Sequence, residues 1–325
     1  MIFYKTLRLI LIISLFSTFF SGCDKQIKPA PTISRDESGI PVYEVDQTYA
    51  DEDLNDPEFN KYPRLQFVWN KRNGELPVLM SIRTDGTDLR RVIDSEKLFY
   101  GGASHFTHKP VRSANRRYLA YSNTATGISL PDRVIYDLKT NERITIIKSQ
   151  TGTAQYFWSP DSENLFFHGD EMYRYHIQSK TLHQLPEFIY GAGFYALPDN
   201  KTIIAVTPKG VTVNDYDGKL KSETDLNIYE YSSVFFDVSP DGSHFIYLTS
   251  RINYLFNLKK DPELMYKFEV TGRNLTEVVF NADNTSLYAK YNRGLAIFYL
   301  KSKNITMLAK FQGSIHDLTR MYLME

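Results

Sequence analysis

Three histidines could together bind a metal ion. His105 and His108 lie in the segment SEKLFYGGASHFTHKP, and His316 lies near the C-terminus. Imidazole nitrogen is a common ligand of zinc and other transition metals. His105 and His108 are three residues apart, so in a strand they would point to opposite faces, and their spacing fits no regular metal motif. We therefore predict no cofactor. We keep the three histidines as a candidate ligand site, which would lie at the mouth of the channel that the repeats described below enclose.

Four aspartates recur at similar turns and could suggest repeated catalytic carboxylates. Asp161, Asp199, Asp241 and Asp283 lie in the stretches WSPDSENLFFHG, ALPDNKTIIAVT, DVSPDGSHFIYLTS and FNADNTSLYAKY. Proline fixes its backbone angle and removes a donor where strand pairing stops, and Asp, Asn and Gly tolerate turn conformations. One aspartate per repeat at the same turn position indicates a structural role.

Other chemistry has less support in the sequence. There is no Gly-x-Ser-x-Gly elbow and no phosphate-binding loop. Lys+Arg and Asp+Glu number 38 each, so no global basic field favours nucleic acid. Paired carboxylates for glycoside hydrolysis stay open as an alternative, because they could come from any two repeats.

The turns recur with a period that predicts an architecture. Taking Ser113, Ser159, Leu197, Ser239 and Asn281 as equivalent gives steps of 46, 38, 42 and 42 residues. Each turn precedes an apolar strand and then two strands joined by a polar hairpin, such as VLMSIRTDGTDLRRVI. Repeats near 40 residues with strand-like content are typical of propellers. The sequence therefore predicts an all-β, six-bladed β-propeller with four-stranded blades.

The two ends of the repeat region predict how the ring closes. The first unit begins at Leu65 with LQFVW, which has no inner strand before it. The segment SIHDLTRMYL remains after the last complete unit, where an inner strand would start. We expect residues 314–323 to supply the inner strand of the first blade, which would leave no open edge at the seam. Seven blades are the alternative.

The motifs resemble the repeats of TolB-like periplasmic propellers, which show a Trp-Ser-Pro-Asp-Gly turn and an Asp-Gly hairpin. The stretches WSPDS at 158–162 and SPDG at 239–242 match well, whereas LPDN, NADN and SANR are degenerate. The resemblance covers most of residues 63–325. Similar repeats occur in peptidase and carbohydrate-active propellers, so the resemblance implies a fold more than an activity.

The N-terminus has the pattern of a secretory signal. Lys5 and Arg8 precede a mostly apolar run that ends in FSGC, and this run is too short to span a membrane. The stretch resembles a bacterial lipoprotein lipobox, which implies that Cys23 is acylated and becomes the first mature residue. Asp24 resembles an inner-membrane retention signal, and the choice of membrane stays open. An ordinary signal peptide is the alternative.

The segment between the signal and the repeats is acidic. Seven acidic and no basic residues lie between Glu44 and Glu58. Such composition buries little surface, so we predict a flexible tether over residues 23–62. The predicted organisation is a signal peptide at 1–22, the acylated tether at 23–62 and the propeller at 63–325.

These observations favour a binding function. We expect a monomeric propeller that is anchored to a bacterial membrane through Cys23, faces the periplasm and acts as a non-catalytic binding or scaffold module. Its expected partner is an envelope protein or a cell-wall component, and no nucleic acid. The alternative is a metal-assisted lyase or hydrolase acting on an acidic glycan or peptide, which would use the three histidines.

Overall fold

The structure is a computed structural model that describes residues 33–70, 76–93, 95–98, 110–124, 130–150, 155–168, 171–185, 193–206, 210–225, 235–248, 253–257, 263–268 and 275–321. Most of these residues lie in strands, and two four-residue helices occur among them, α1 (Pro57–Asn60) and α2 (Ser95–Leu98). No helix in the described segments is long and apolar enough to cross a membrane.

The strands form a ring of six four-stranded antiparallel blades, as predicted. From the channel outwards, blade 1 contains β26 (Ser314–Met321), β3 (Arg64–Asn70), β4 (Val78–Arg83) and β5 (Arg90–Ile93). Blade 2 contains β6 (Val111–Arg112), β7 (Tyr118–Asn123), β8 (Asp132–Asp137) and β9 (Glu142–Ile147). Blade 3 contains β10 (Tyr156–Trp158), β11 (Asn164–His168), β12 (Met172–His176) and β13 (Thr181–Gln184).

The second half of the ring repeats the pattern. Blade 4 contains β14 (Gly193–Ala196), β15 (Thr202–Val206), β16 (Gly210–Asp215) and β17 (Leu220–Asp225). Blade 5 contains β18 (Phe235–Val238), β19 (His244–Leu248), β20 (Asn253–Asn257) and β21 (Glu263–Phe268). Blade 6 contains β22 (Leu275–Phe280), β23 (Ser286–Tyr291), β24 (Gly294–Tyr299) and β25 (Ile305–Phe311), to which β2 (Pro41–Tyr43) and β1 (Ser34–Arg35) are added at the outer edge.

The C-terminal strand closes the ring. β26 occupies the inner position of blade 1 and pairs antiparallel with β3, from Ser314 opposite Asn70 to Met321 opposite Arg64. The prediction that residues 314–323 complete the first blade is confirmed for the part that β26 covers. Blade 1 thus contains strands from both ends of the repeat region, which removes the open edges at the seam.

Burial follows the stacking of blades. Phe166 in β11 and Phe245 in β19 are completely buried, because each second strand is covered by a neighbouring blade on both faces. β13 is exposed along its whole length, since an outer strand has water on one side. Blades 3 and 4 thus have an apolar second strand and an exposed outer strand.

The two faces of the ring carry different connections. In a blade whose strands run up and down in turn, the first-to-second turn and the third-to-fourth hairpin lie on one face, which we call the turn face. The connections between blades and the second-to-third loops lie on the other, which we call the loop face. The aspartate turns of the repeats are thus on the turn face.

The expected flexible tether over residues 23–62 is wrong for residues 33–62. These residues, which we call the strap, belong to the same compact unit as the propeller. β2 pairs in parallel with β25, and Tyr43 and Tyr49 are 0% and 6% exposed. The prediction considered only the acidic composition of this segment and overlooked its aromatic residues Tyr43 and Tyr49, which are buried. Residues 23–32 lie outside the described part, so their role as a tether stays a prediction.

The strap crosses the seam where the ring closes. Tyr43 stacks on Phe311 of blade 6 at 5.4 Å between ring centroids, and Tyr49 contacts Trp69 of blade 1 at 5.7 Å. The Tyr43 hydroxyl donates a 2.9 Å hydrogen bond to the carbonyl of Gly86. Gly86 has a φ of +81°, and a Cβ there would lie 2.3 Å from the Leu308 carbonyl oxygen. The strap therefore joins blades 6 and 1 through tightly fitted aromatic packing.

Candidate functional site

His316 is the one residue of the histidine group that the structure describes. It lies on β26, opposite Val68, and is half-buried. His105 and His108 lie outside the described residues, so a shared ligand site stays a prediction. Within the described segments, no group of three His, Cys, Asp or Glu residues is placed to hold a metal ion.

Two carboxylates on inner strands connect neighbouring blades. Asp237 on β18 accepts a 2.7 Å hydrogen bond from the backbone N–H of Phe280 on β22. Glu277 on β22 accepts a 2.7 Å hydrogen bond from the N–H of Leu318 on β26, and its other oxygen lies 3.4 Å from the Lys290 ammonium. Sequence reasoning missed both residues. The available signal was a single acid within the apolar inner strands FFDV and LTEVVF.

The Glu277 contact has a clear structural purpose. The pairing of β26 with β3 shifts register between His316 and Thr319, so Leu318 lies in a bulge. A bulge residue loses its normal ladder partner. The Glu277 carboxylate supplies an acceptor for this amide from the preceding blade, and thereby fastens the closing strand to blade 6.

Removing the Glu277 carboxylate should loosen the closing strand locally. We expect Glu277→Ala to speed hydrogen exchange of the Leu318 amide about 10- to 100-fold, because a hydrogen bond to a charged group is worth about 1.5–3 kcal/mol. Glu277→Gln keeps an acceptor and should restore most of the protection. Glu223→Ala, at an exposed position of β17, is the matched control. Unchanged exchange in Glu277→Ala would show that this hydrogen bond does not hold β26.

The four turn aspartates each accept hydrogen bonds within their own turn. The backbone N–H groups two residues on donate to them at 2.8–2.9 Å, and these donors are Glu163, Lys201, Ser243 and Thr285. An aspartate that binds the backbone two residues on stabilises a turn. These contacts support the expectation that the aspartates are structural.

The turn that contains Asp241 should make the stability of the fold depend on pH in the acid range. Burial acts to raise the pKa of Asp241, but hydrogen bonds from Ser243 and Ser239 outweigh it and lower the pKa from 3.8 to about 2. A carboxyl whose folded pKa is depressed stabilises the fold above its unfolded pKa, and loses that contribution as the pH falls through the folded value. The stabilisation from Asp241 should therefore disappear between about pH 4 and pH 2.

The test compares urea midpoints across that window. We expect Asp241→Asn to be less stable than the wild type at pH 5 and to lose less stability on acidification to pH 2. Asp217→Asn changes a side chain that is 81% exposed and should keep the wild-type profile. Parallel acid profiles for wild type and Asp241→Asn would contradict the assignment.

Neighbouring turns are latched to each other on the turn face. The N–H of Asn115 in blade 2 donates to the Ser162 hydroxyl of blade 3 at 2.9 Å, and the N–H of Asp161 donates to the Asn200 side chain of blade 4 at 3.1 Å. In both cases the acceptor is the fourth turn residue of the following blade. Ser162 and Asn200 have φ values of 64° and 54°, which small or amide side chains tolerate.

Blade 2 carries an arginine at this same turn position. Arg116 has a φ of 61°, yet it is completely buried. Its guanidinium donates to the Asn60 side chain and to the Tyr62 carbonyl, both at 3.2 Å. Blade 1 has no such turn, because its inner strand comes from the C-terminus. Residues 60–62 of the strap occupy that place, and Arg116 latches blade 2 to them.

A second buried contact fixes the strap to blade 2. The Glu52 carboxylate lies 2.6 Å from the Arg112 guanidinium, and both side chains are 2% exposed. The Ser81 hydroxyl of blade 1 also donates to Glu52. Burial, with the nearby charge of Arg112, lowers the pKa of Arg116 to about 10. Glu52 thus supplies negative charge where two buried arginines meet.

A buried polar network lies between blades 2 and 3, near the loop face. The Ser122 hydroxyl is 2.7 Å from that of Tyr156, and Arg133 donates to Ser122 at 2.9 Å. Burial raises the pKa of Tyr156 to about 12, although Arg133 and Ser122 act to lower it. Tyr156 joins blades 2 and 3 through this network.

Comparison with known proteins places this ring among solved propellers. No protein-family model and no curated protein sequence matches the chain. TolB from Acinetobacter baumannii is similar in structure, with a TM-score of 0.59 and 16% identity over 80% of this chain and 67% of that one. The chain has a TolB-like propeller fold.

Enzymes share the same architecture. The periplasmic gluconolactonase of Pseudomonas aeruginosa gives a TM-score of 0.53 with 15% identity, over 82% of this chain and 87% of that one. An oligogalacturonate lyase of Vibrio parahaemolyticus gives 0.50 with 12% identity, over 86% and 84%. Identities this low establish the fold alone, because one fold hosts many functions.

Proposed function

We propose that this protein is a lipid-anchored propeller of the bacterial envelope and acts as a non-catalytic binding or scaffold module. The observation that carries the proposal is the use of the inner-strand carboxylates. Asp237 and Glu277 both accept hydrogen bonds from backbone amides of the next blade, so each carboxylate has a structural role in joining two blades. A rigid ring that carries loops on one face is a suitable scaffold for recognition.

The anchor in this proposal is the thiol of Cys23, at the end of the FSGC stretch. Two or three acyl chains would hold the protein stably at a membrane, whereas a single chain binds reversibly. The partner is an envelope protein or a cell-wall component, and the ring acts as a monomer. The structural similarity to TolB supports the architecture that this role requires.

The test is crosslinking of the anchored protein in cells, followed by affinity purification and mass spectrometry. We expect acylated Cys23 in the mature protein and one stoichiometric envelope partner. Cys23→Ala should release the protein from the membrane without unfolding it. Unmodified Cys23 would overturn the anchor, and a preparation without a partner would overturn the binding role.

A metal-assisted enzyme is the other outcome of the same preparation. Stoichiometric bound metal, together with cleavage of an acidic glycan, would replace the binding proposal. His105→Ala, His108→Ala and His316→Ala should then each lower metal content. If all three variants retain full metal content, the histidine group is not its site.

A further inference from the structure

The direction of the strap shows at which face of the ring its first strand begins. β25 starts at the hairpin on the turn face and ends at Phe311 on the loop face. β2 runs parallel to it, with Val42 opposite Lys310 and Tyr43 opposite Phe311. β1 runs antiparallel to β2, with Ser34 opposite Val42. β1 therefore begins at its loop-face end, at the outer edge of blade 6.

The first residues of the strap are fixed to the end of blade 6 by an ion pair and by hydrogen bonds. The Lys310 ammonium lies 2.6 Å from a carboxylate oxygen of Asp36 and forms an ion pair with it. The Gln312 N–H donates a 2.9 Å hydrogen bond to the Tyr43 carbonyl. Asp36 also accepts hydrogen bonds from the N–H groups of Ser38 and Ile40, each at 2.9 Å, which close the turn between β1 and β2. The start of the strap is thus a fixed position on the propeller.

The covalent distance to the proposed anchor is short. Ten residues, 24–33, separate Cys23 from Ser34. Ten residues span at most about 35 Å when fully extended. A blade of four strands is about 15 Å wide, so two opposite blades with the channel between them span upwards of about 30 Å. The near rim can touch a bilayer without extension of the tether, whereas the far rim can touch it only if the tether is almost fully extended, so the near rim is favoured.

We propose that the loop-face end of blade 6 is the surface that this protein presents to the membrane. The inference rests on the proposed acylation of Cys23. Blade 3, on the opposite side of the ring, and the turn face of blade 6 then lie farther from the lipid. The surface near the strap start carries the exposed cations Arg35 and Arg293, the exposed acid Glu37 and the Lys310–Asp36 ion pair. The position of β1 and the length of the tether, and not a net charge, therefore argue for this surface.

The experiment attaches the mature chain, beginning at Cys23, to vesicles of phosphatidylglycerol and phosphatidylethanolamine through a maleimide lipid. A photocrosslinking phenylalanine analogue replaces one exposed residue at a time. Arg293 marks the loop face of blade 6, Lys301 marks its turn face, and Gln178 marks the hairpin of blade 3. Circular dichroism confirms that each variant is folded.

The expected result is at least about fivefold more lipid adduct at Arg293 than at Gln178, with Lys301 in between, since about 35 Å of tether limits the approach of the far rim. A Gly-Ser insertion of about 20 residues after Asp24 should reduce the difference, because it lengthens the tether. Equal labelling at Arg293 and Gln178 with the native tether, or stronger labelling at Gln178, would overturn the proposal.

The outcome is separable from that of the proposed function. The maleimide lipid supplies the anchor chemically, so the orientation is measured whether or not cells acylate Cys23. Unmodified Cys23 in cells would remove the biological anchor, and equal labelling on vesicles would remove the orientation.

Discussion

Glu52→Ala is expected to lower the free energy of unfolding by about 3–5 kcal/mol, because removing one partner of a buried ion pair leaves an uncompensated charge. Glu52 and Arg112 are each 2% exposed and 2.6 Å apart. The loss should be large because Arg64 and Arg116 also lie near the Glu52 carboxylate. The negative charge of Glu52 lowers the free-energy cost of burying these two arginines. Urea denaturation at neutral pH measures the change.

A double-mutant cycle separates the pair from its surroundings. Arg112→Met should be strongly destabilising by itself, but combining it with Glu52→Met should cost less than the sum of the two single variants. We expect a coupling energy of about 2–3 kcal/mol, in the upper range for residues in direct contact. Additive losses would show that the two residues do not stabilise each other.

The matched control is Glu58→Ala in the same strap. Glu58 pairs with Lys61 on the surface, where its side chain is 68% exposed, and exposed pairs contribute about 0–1 kcal/mol. If Glu58→Ala and Glu52→Ala have similar effects, the strap is not anchored through Glu52. Limited proteolysis within residues 44–58 gives a second readout, since a detached strap should be cut faster.

Tyr43→Ala is expected to cost about 3–5 kcal/mol, the usual range for deleting a buried aromatic side chain. Tyr43 is completely buried, stacks on Phe311 and contacts Tyr49 edge-on at 5.9 Å. Its removal would open a cavity at the seam between blades 6 and 1. Because β2 is short, we also expect the strap to separate from β25 and become sensitive to protease.

Tyr43→Phe tests the hydroxyl separately. This variant keeps the ring but removes the hydrogen bond to the Gly86 carbonyl, so it should cost about 1–2 kcal/mol. Tyr299→Ala, at a side chain that is 40% exposed, should change stability by less than about 0.5 kcal/mol. Wild-type stability in Tyr43→Ala would mean that the strap rests on the seam without stabilising it.

The repeat pattern made the propeller predictable from sequence, because its determinants are local. The aspartate turns, the alternation of apolar strands and polar hairpins, and the period near 40 residues each act within one blade. The position of β26 was predictable for a related reason: the first unit was one strand short and the C-terminus had one strand too many. In a closed ring the extra C-terminal strand pairs with the first unit and completes its blade.

The strap was not predictable, because its contacts are remote in sequence. Glu52 meets Arg112 across 60 residues, and Tyr43 meets Phe311 across 268. The composition of residues 44–58 predicts an acidic segment exposed to solvent. It does not show that one of the seven acids, Glu52, pairs with a buried arginine of blade 2. The aromatic residues among them were too few to give a periodic signal.

The same distinction separates the turns from the latches between them. Sequence alone determined that this chain repeats a turn-and-strand unit and closes upon itself, because turn chemistry and strand periodicity are set by neighbouring residues. Tertiary structure decided that Arg116 replaces a small turn residue to hold the strap, and that Glu277 caps the bulge at Leu318. Both depend on which groups two stacked blades bring together, and that is fixed by the ring geometry.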